Sequence, residues 1–541
     1  MSSGQHSLYE ILKEIATKQP DNTAITYFGI NLSYSELLDS IDKTADAFRR
    51  HDVKKGDIIS ISLPTLPESV MCFYALSKIG AITCMIDVRY TSAQIREIID
   101  KTQSKMLFIM DFNCISLATV EASLNVDKVV VCSGADSIPM ASAWYSIGEW
   151  FNGRRKIFRK HKKFCHWKDF IGTAQEIGQN EPYHWIPDEM TALFQTSGTT
   201  GTVKSVMLTT ENILHSTFPE PPVLKNISCD DTALCCLPIF AFYGANALTL
   251  AFCHGMRAII IPIVPRKTFL KTVAKYKPQH VFSVPAYWDT IAQEKDGKGD
   301  FSYLTTVNIA GDVLNIAFEK SINDFLHKRG FRYDVTKGYG MTETSGIIAF
   351  TPQNDPHQYI SGFSGKAVAG YEVKIFDEEI CVHSDMKLLG YYKNEAATNE
   401  LIQTHDGKKW LHTGDMGYVD EEGNVFVIGR KKRMIVRHDG TKVFPVEIEA
   451  CLTQHPFVAS CAVIPVQDPK HHESKLPKAF VVLKDPSQKT QATIEQLMTY
   501  CKTNLPEHLW PVGIVLIDAL PVNNNGKVDY QKLMGNLTPI K

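Results

Sequence analysis

The chain has 541 residues, is 44% hydrophobic and 21% charged, and carries a formal net charge of -2. This is an ordinary globular profile that implies neither a nucleic-acid footprint nor a membrane partner, and the length exceeds what one hydrophobic core serves, so two or more domains are expected. Thirteen cysteines, scattered from Cys72 to Cys501 without a CxxC pair, point to a reducing cytoplasm rather than to a disulfide framework or a thiolate metal site.

In chain order, the N-terminal MSSGQHSLYEILKEI carries Glu10 and Glu14 where a secretory signal needs an uninterrupted apolar run. Residues 23–34 suggest two strands joined at Gly29, then a helix capped by the Ser33 and Glu36 pair. IISISL is expected as a strand, Pro67 opens a helix through Lys78, AITCMI is a strand, and Thr91 with Gln94 caps another helix. MLFIM and VVVC continue the alternation, the pattern of an α/β fold whose parallel sheet is covered on both faces. The basic run at 154–163 is expected to be a solvated loop without function. Residues 232–253 lack charge over a length that could span a bilayer, but Pro238, Gly244 and Asn246 interrupt them, so a buried strand and helix are expected and no integral membrane span. After Arg433 a short helix near Glu447, strands at ASCAVIPV and AFVVLK, a helix around Glu495 and the strand GIVLID describe a compact α+β domain.

The segment FQTSGTTGTVKS offers six consecutive small residues, Thr196, Ser197, Gly198, Thr199, Thr200 and Gly201, whose backbone N–H groups can turn toward phosphate oxygens, with Lys204 adding a positive charge. Val203 stands where a P-loop NTPase needs glycine before its Lys-Ser pair, so that class fails on its own motif.

TSGTTGTVK resembles the phosphate loop of the adenylate-forming superfamily of acyl-CoA synthetases, luciferases and peptide-synthetase adenylation domains. GYGMTET at 338–344, LHTGD at 411–415, GRKKRMI at 429–435, FPVEIE at 444–449 and NGKVDY at 525–530 follow in the same family's order, and residues 63–91 are similar to its N-terminal region. The resemblance implies a large N-terminal α/β domain of several subdomains with mixed and parallel sheets (1–430), a hinge near 430–433 and a small mobile α+β C-terminal domain (434–541). It implies ATP, Mg²⁺ and coenzyme A as cofactors and a small carboxylic acid as substrate.

A carboxylate is a poor electrophile and must approach an equally negative α-phosphate, so some group has to cancel the repulsion. By resemblance that group is Lys527, a mobile point charge. Glu343 is a hard oxygen ligand for Mg²⁺, and the Thr342 hydroxyl touches phosphate. Asp415 accepts the ribose hydroxyls and Arg430 adds a donor to the same sugar. Tyr339 stacks on adenine, with Gly311 and Asp312 lining the base. Lys432 is the pivot, and the segment centred on Gly440 lines the channel for the thiol.

The pattern breaks at Val203 and Ser205, which replace the usual Pro and Gly, at a shortened KIFDEEICVHS, and at Ala241. Peptide-synthetase domains usually place at the Ala241 position an Asp that pairs with an amino acid's ammonium, so an α-amino acid is disfavoured. Phe240, Ala241, Tyr243, Pro285 and the rest of the VPAYW segment, 284–288, are expected to form an apolar wall for a hydrophobic fatty or aryl acid. The acceptor is read as coenzyme A; the alternative is a separate acyl or peptidyl carrier protein, toward which NNNGKVDY leans. A non-catalytic nucleotide-binding relative is disfavoured because Lys204, Glu343, Asp415, Arg430 and Lys527 are all present.

Overall fold

Short, unbroken apolar runs such as IISIS and KVVVC become strands buried on both faces, and their parallel pairing needs the helices that alternate with them. The structure, a computed structural model, describes residues 6–120, 123–138, 160–173, 186, 188–197, 203–215, 217, 227–262, 264–293, 299–386, 388–471, 474–522 and 528–535.

Two large sheets carry the first 430 residues. One has seven strands in the spatial order Phe164–His166, Lys128–Cys132, Met106–Met110, Ile58–Ser62, Ile82–Met85, Met190–Ser197 and Val203–Thr209. All its pairs are parallel except the last, an antiparallel hairpin. The other has a parallel centre formed by Thr232–Cys235, Arg257–Ile260, His280–Ser283, Thr306–Ala310 and Thr336–Met341, extended by antiparallel strands from Gly346–Phe350 onward.

Neighbouring residues in each strand serve different cores. Ile59 and Ile61 join the core shared by the two sheets and the helices Tyr34–Arg50, Pro67–Ile79 and Phe242–Cys253. Ile58 faces the other way, with Ile82 and Leu107, onto Ile95, Ile98 and Ile99 of the helix Ser92–Thr102. In the second sheet Val281, Val307 and Ile309 lie in a separate core with Ile322 and Leu326 of the helix Ile316–His327. Burial on both faces is the physical reason these strands carry no polar alternation.

Local signals are met where they were expected. Ser33 N donates to Glu36 Oε2 (2.8 Å) and Glu36 N to Ser33 Oγ (3.2 Å), and Thr91 with Gln94 forms the same reciprocal cap at 2.9 and 3.3 Å. The uncharged stretch 232–253 divides into the strand Thr232–Cys235 and the buried helix Phe242–Cys253, and no helix among the described residues is long and apolar enough to cross a membrane. The shortened KIFDEEICVHS is a tight hairpin: Tyr371–Phe376 returns as Glu379–Ser384 through Asp377 and Glu378, both with positive φ (49° and 64°), the geometry of a two-residue turn matched to strand twist. Of the basic run, only residues 160–163 lie within the described residues.

Beyond residue 433, three strands, Val458–Gln467, Lys475–Leu483 and Ile514–Ile517, form a small sheet. Its Val463, Ala479 and Val481 pack on Ile448 and Leu452 of the helix Pro445–Gln454 and on Leu497 and Cys501 of the helix Gln491–Asn504. Its Ala462, Ile464 and Phe480 face Leu533.

Candidate active site

In open α/β sheets the crevice beyond the carboxyl ends of parallel strands is where ligands gather, because loops diverge there. The expected site residues converge on such ends in both sheets. Ser197 ends Met190–Ser197, Val284 and Pro285 follow His280–Ser283, Gly311 follows Thr306–Ala310, and Tyr339 lies two residues before the end of the strand Thr336–Met341.

The phosphate-loop segment is a hairpin. Thr196 pairs with Lys204 and Ser197 with Val203, while Gly198, Thr199, Thr200 and Gly201 lie outside the described residues. The departure at Ser205 is absorbed locally, its buried hydroxyl donating to Gln195 Oε1 at 2.8 Å. Glu343 reaches this hairpin from a short 3-10 turn, Thr342–Thr344, which keeps Thr342 at the same place. Its Oε1 accepts from the Thr196 hydroxyl (3.3 Å) and the Tyr391 hydroxyl (2.9 Å). Both bonds land on one oxygen, and among the described residues no hydrogen bond reaches Oε2, which leaves it for a hard cation. The Lys204 ammonium lies 4.6 Å from the Tyr391 ring centroid. Burial first, then the Glu343 charge, raise the Tyr391 pKa, so the phenol stays a neutral donor. Tyr391 thus joins two groups the sequence had treated separately, and the only signal for it was its place in GYYKNEAAT.

Asp415 follows Gly414, whose φ of 73° belongs to the left-handed region that glycine tolerates, and it pairs with Arg430 across two antiparallel strands. Its carboxylate is nearly buried; Oδ1 meets Arg430 Nε at 2.9 Å and Oδ2 accepts from the Tyr339 hydroxyl at 2.8 Å. Arg430 also donates from Nη1 to Thr413 O (3.1 Å). Tyr339 therefore orients Asp415, a task sequence reasoning missed, while its ring packs on the cluster of Ala349, Ile380 and Val425.

Around the expected acid wall, Gly311 has a φ of 85°, and a Cβ on it would lie 3.7 Å from Val284 Cγ1 and 4.0 Å from Tyr243 Cδ1. These three residues are therefore neighbours. The Tyr243 hydroxyl donates to Asn308 Oδ1 (2.6 Å), and Asn308 Nδ2 donates to Thr336 Oγ1 (3.1 Å), which locks the ring. Ala241 precedes the helix Phe242–Cys253, and Gly244 lets that helix seat on the preceding loop, since a Cβ there would be 2.2 Å from Pro238 O. Phe240 is mostly buried, with the Arg89 guanidinium 5.7 Å from its ring centroid. Arg89 is itself held by Asp87, Nε to Oδ1 at 2.8 Å, and sequence reasoning had not singled it out. Pro285 is buried at the start of a 3-10 turn. Trp288 corrects the expectation for the VPAYW segment: it is fully buried in the second core and donates to Ser283 Oγ at 2.9 Å, so it turns away from the wall.

Lys527 lies outside the described residues, but its flanks are fixed by a bridge between Val522 and Val528 and by Asp529 N donating to Pro521 O (2.7 Å). Next to it, Tyr530 lies under the Arg433 guanidinium at 4.0 Å, and Arg433 pairs with Glu449 at 2.5 Å. Burial raises the Glu449 pKa against the opposing Arg433 charge, and Asp312 of the large domain adds to that rise. The Asp312 charge also adds to the rise in the Tyr530 pKa, which burial leads. Gly440 is exposed and away from this contact; two residues on, Lys442 pairs with Glu378 in the tight hairpin. Between the domains, Lys431 pairs with Glu379 of the large domain (2.8 Å) and Arg433 with Glu449 of the small one, leaving exposed Lys432 between two anchored neighbours.

Residues 12–392 match the model of the AMP-binding enzyme family and residues 447–527 that of the AMP-binding enzyme C-terminal domain. The chain belongs to the AMP-binding enzyme family, a family of adenylate-forming ligases. Within it, this protein is an AMP-forming acid–thiol ligase of the acyl-CoA synthetase type. It is 28% identical over 523 residues to 4-coumarate–CoA ligase 1 of Petroselinum crispum, covering 92% of this chain and 88% of that one. In fold it is similar to the anthranilate CoA ligase AuaEII in complex with anthranoyl-AMP, with a TM-score of 0.83 at 22% identity, covering 99% and 98% of the two chains. It is also similar to the o-succinylbenzoate coenzyme A synthetase of Bacillus subtilis in complex with ATP and magnesium ion, with a TM-score of 0.76 at 22% identity over 97% and 98% of the chains.

Proposed function

We propose that this ligase activates an aryl or other hydrophobic carboxylic acid as its acyl-adenylate, releasing pyrophosphate, and then transfers the acyl group to the thiol of coenzyme A. The observation that carries the reading is two oriented carboxylates, Glu343 on the turn that follows the strand Thr336–Met341 and Asp415 bonded to Tyr339 of that same strand, with Gly311 and its neighbour Tyr243 at the end of the adjacent strand Thr306–Ala310. Asp415, fixed by Tyr339 and Arg430, accepts from the ribose hydroxyls. The Gly311–Asp312 loop lines the adenine, on which the Tyr339 ring stacks.

Residues Thr196 to Gly201 with Lys204 and Thr342 bind the phosphates. Mg²⁺, held by Glu343 Oε2, would supply charge neutralisation on the departing pyrophosphate. Lys527 places its ammonium between the acid's carboxylate and the α-phosphate, lowering the repulsion that blocks the first bond. The wall of Phe240, Ala241, Tyr243 and Pro285 has no anionic group to pair with an ammonium, which favours an apolar acid. The three aryl-acid ligases named above support an aryl acid in particular. Rotation about Lys432 then brings the Gly440 segment to the cleft for the thiol step. The thirteen free cysteines, most of them buried, suit a reducing cytoplasm.

A pyrophosphate-exchange assay over a panel of aryl and fatty acids tests the first step; ADP and phosphate as products overturn it. For the second step, coenzyme A should saturate within about 1 μM to 1 mM, the range usual for enzymes. Efficient loading of a separate carrier protein, with coenzyme A inert, would replace the acceptor with the carrier suggested by NNNGKVDY.

A further inference from the structure

The C-terminal domain holds a second cluster of ligating side chains that the adenylation chemistry does not use. His438 stands two residues before Gly440, and His471 and Asp468 come from the loop that follows the strand Val458–Gln467. One ligand atom from each of the three lies within 4.8 Å of the others. The two imidazoles are stacked, with centroids 4.1 Å apart and planes inclined by 10°. A histidine ligates a metal through the lone pair of a ring nitrogen.

Both loops are held by their own backbones. Arg437 N donates to Thr441 O and Gly440 N to Arg437 O, each at 3.0 Å, so His438 sits on a closed turn. Opposite, Asp468 N donates to Ser474 O (3.1 Å) and Ser474 N to His471 O (2.9 Å). Asp468 is 4% exposed, and its Oδ1 accepts from Lys470 N at 2.9 Å. The carboxylate is thus held in place beside two exposed imidazoles.

We propose that His438, Asp468 and His471 bind a divalent transition ion of the zinc class, and that the bound ion ties the Gly440 loop to the 468–471 loop. Two imidazole nitrogens and one carboxylate oxygen are the donor set of a three-ligand zinc site with a fourth position open. Bonds of about 2.0–2.1 Å in a tetrahedron put ligand atoms ~3.3 Å apart, so binding requires the two exposed rings to leave their parallel stack, since each nitrogen lone pair lies in its ring plane, and to close from the present spacing. Imidazole nitrogen also selects against Mg²⁺, which prefers oxygen, so this site and Glu343 draw on different ions.

The test uses the full-length protein, stripped with a chelator and dialysed. Calorimetric titration with Zn²⁺, and with Co²⁺ followed by its visible absorption, should show one equivalent bound and not displaced by millimolar Mg²⁺. His438→Ala and His471→Ala should each weaken it by about 10–100-fold, the scale of disturbing a metal site's support, while His383→Ala should leave it unchanged. Both ligand histidines are exposed, so circular dichroism should report an intact fold. Hydrogen exchange should show Zn²⁺ protecting the amides of 437–441 in the wild type and not in His438→Ala. Absence of a one-equivalent site, an affinity indifferent to both substitutions, or binding without added protection of that loop would each overturn the proposal. None of these readouts needs turnover, so they stand apart from the acid and thiol assigned above. The consequence for catalysis does rest on that function: Zn²⁺ should slow thioester formation in the wild type more than in His438→Ala, with pyrophosphate exchange unaffected.

Discussion

On the large domain each candidate side chain is held by a distant segment of chain: Asp415 by Tyr339 and Arg430, Glu343 by Thr196 and Tyr391, Tyr243 by Asn308. On the small domain Lys432 and Gly440 are exposed; the ion pairs of Lys431 and Arg433 flank the first, and the turn from Arg437 to Thr441 with the Lys442–Glu378 pair holds the second. The groups proposed to meet the nucleotide and the acid are oriented by hydrogen bonds. The groups proposed to serve alternate half-reactions ride on the smaller domain, where Lys432 stands exposed between two ion-paired neighbours. Preorganisation and mobility are thus assigned to different parts of the chain.

The sharpest way to break that division is to remove Lys527. Lys527→Ala should lower pyrophosphate exchange by about 10²–10³-fold, the scale of losing one preorganised charge-stabilising donor, while supplied acyl-adenylate is still converted to thioester. Equal loss in both half-reactions would show that the two steps share this lysine. The converse substitution, Lys432→Pro, fixes φ where the chain must turn, so exchange should persist while thioester formation falls well below it. Rapid-quench measurement of the two steps separates these outcomes, and an unchanged thioester rate would move the pivot elsewhere.

A smaller effect should follow from loosening a preorganised group without removing it. Tyr391→Phe deletes the 2.9 Å hydrogen bond to Glu343 Oε1 but keeps the ring beneath Lys204. The Mg²⁺ concentration needed for half-maximal exchange should rise by about 10–100-fold, as for loss of a partner that orients a metal ligand. An unchanged Mg²⁺ requirement, measured by titration at saturating ATP, would show that Glu343 is oriented by Thr196 alone or is not the ligand.

Local features were the legible ones. The Ser33 and Thr91 caps, the divided stretch 232–253 and the alternation of buried strands and helices all depend on residues within a few positions of each other. What stayed hidden depends on pairings across the chain: Tyr391 reaches Glu343 across 48 residues, and Tyr339 reaches Asp415 across 76. Motif resemblance supplied Glu343 and Asp415 but not the hydroxyls that aim them. Trp288 shows the other gap, because an aromatic beside Pro285 suits a pocket wall and a core equally well, and only the packing of Ser283 beneath it decides. Arg89 was passed over since its meaning comes from Phe240, far along the chain.

The weakest expected effect probes the anchor of the pivot on the large-domain side. Glu379 is nearly buried; its Oε2 meets Lys431 Nζ at 2.8 Å and His412 Nδ1 at 3.3 Å, and its Oε1 accepts from Gly414 N at 2.8 Å, beside Asp415. Burial alone would raise its pKa, but Lys431, the Gly414 amide and His412 outweigh it, and the folded value lies below the ordinary 4.5. A carboxyl lowered on folding stabilises the native state above its unfolded pKa, and that contribution disappears as pH falls through the folded value. Lys431 is about half exposed, so the ion pair itself belongs to the ~0.2–1 kcal/mol range of solvent-screened pairs. Glu379→Gln should therefore melt slightly below wild type at pH 7, and the gap should close as pH falls below about 4.5. Added salt should narrow the pH 7 difference as well. A gap that persists unchanged at pH 3 would mean that Glu379 acts through packing, and that its pair with Lys431 is not what ties the proposed hinge to the strand bearing Asp415.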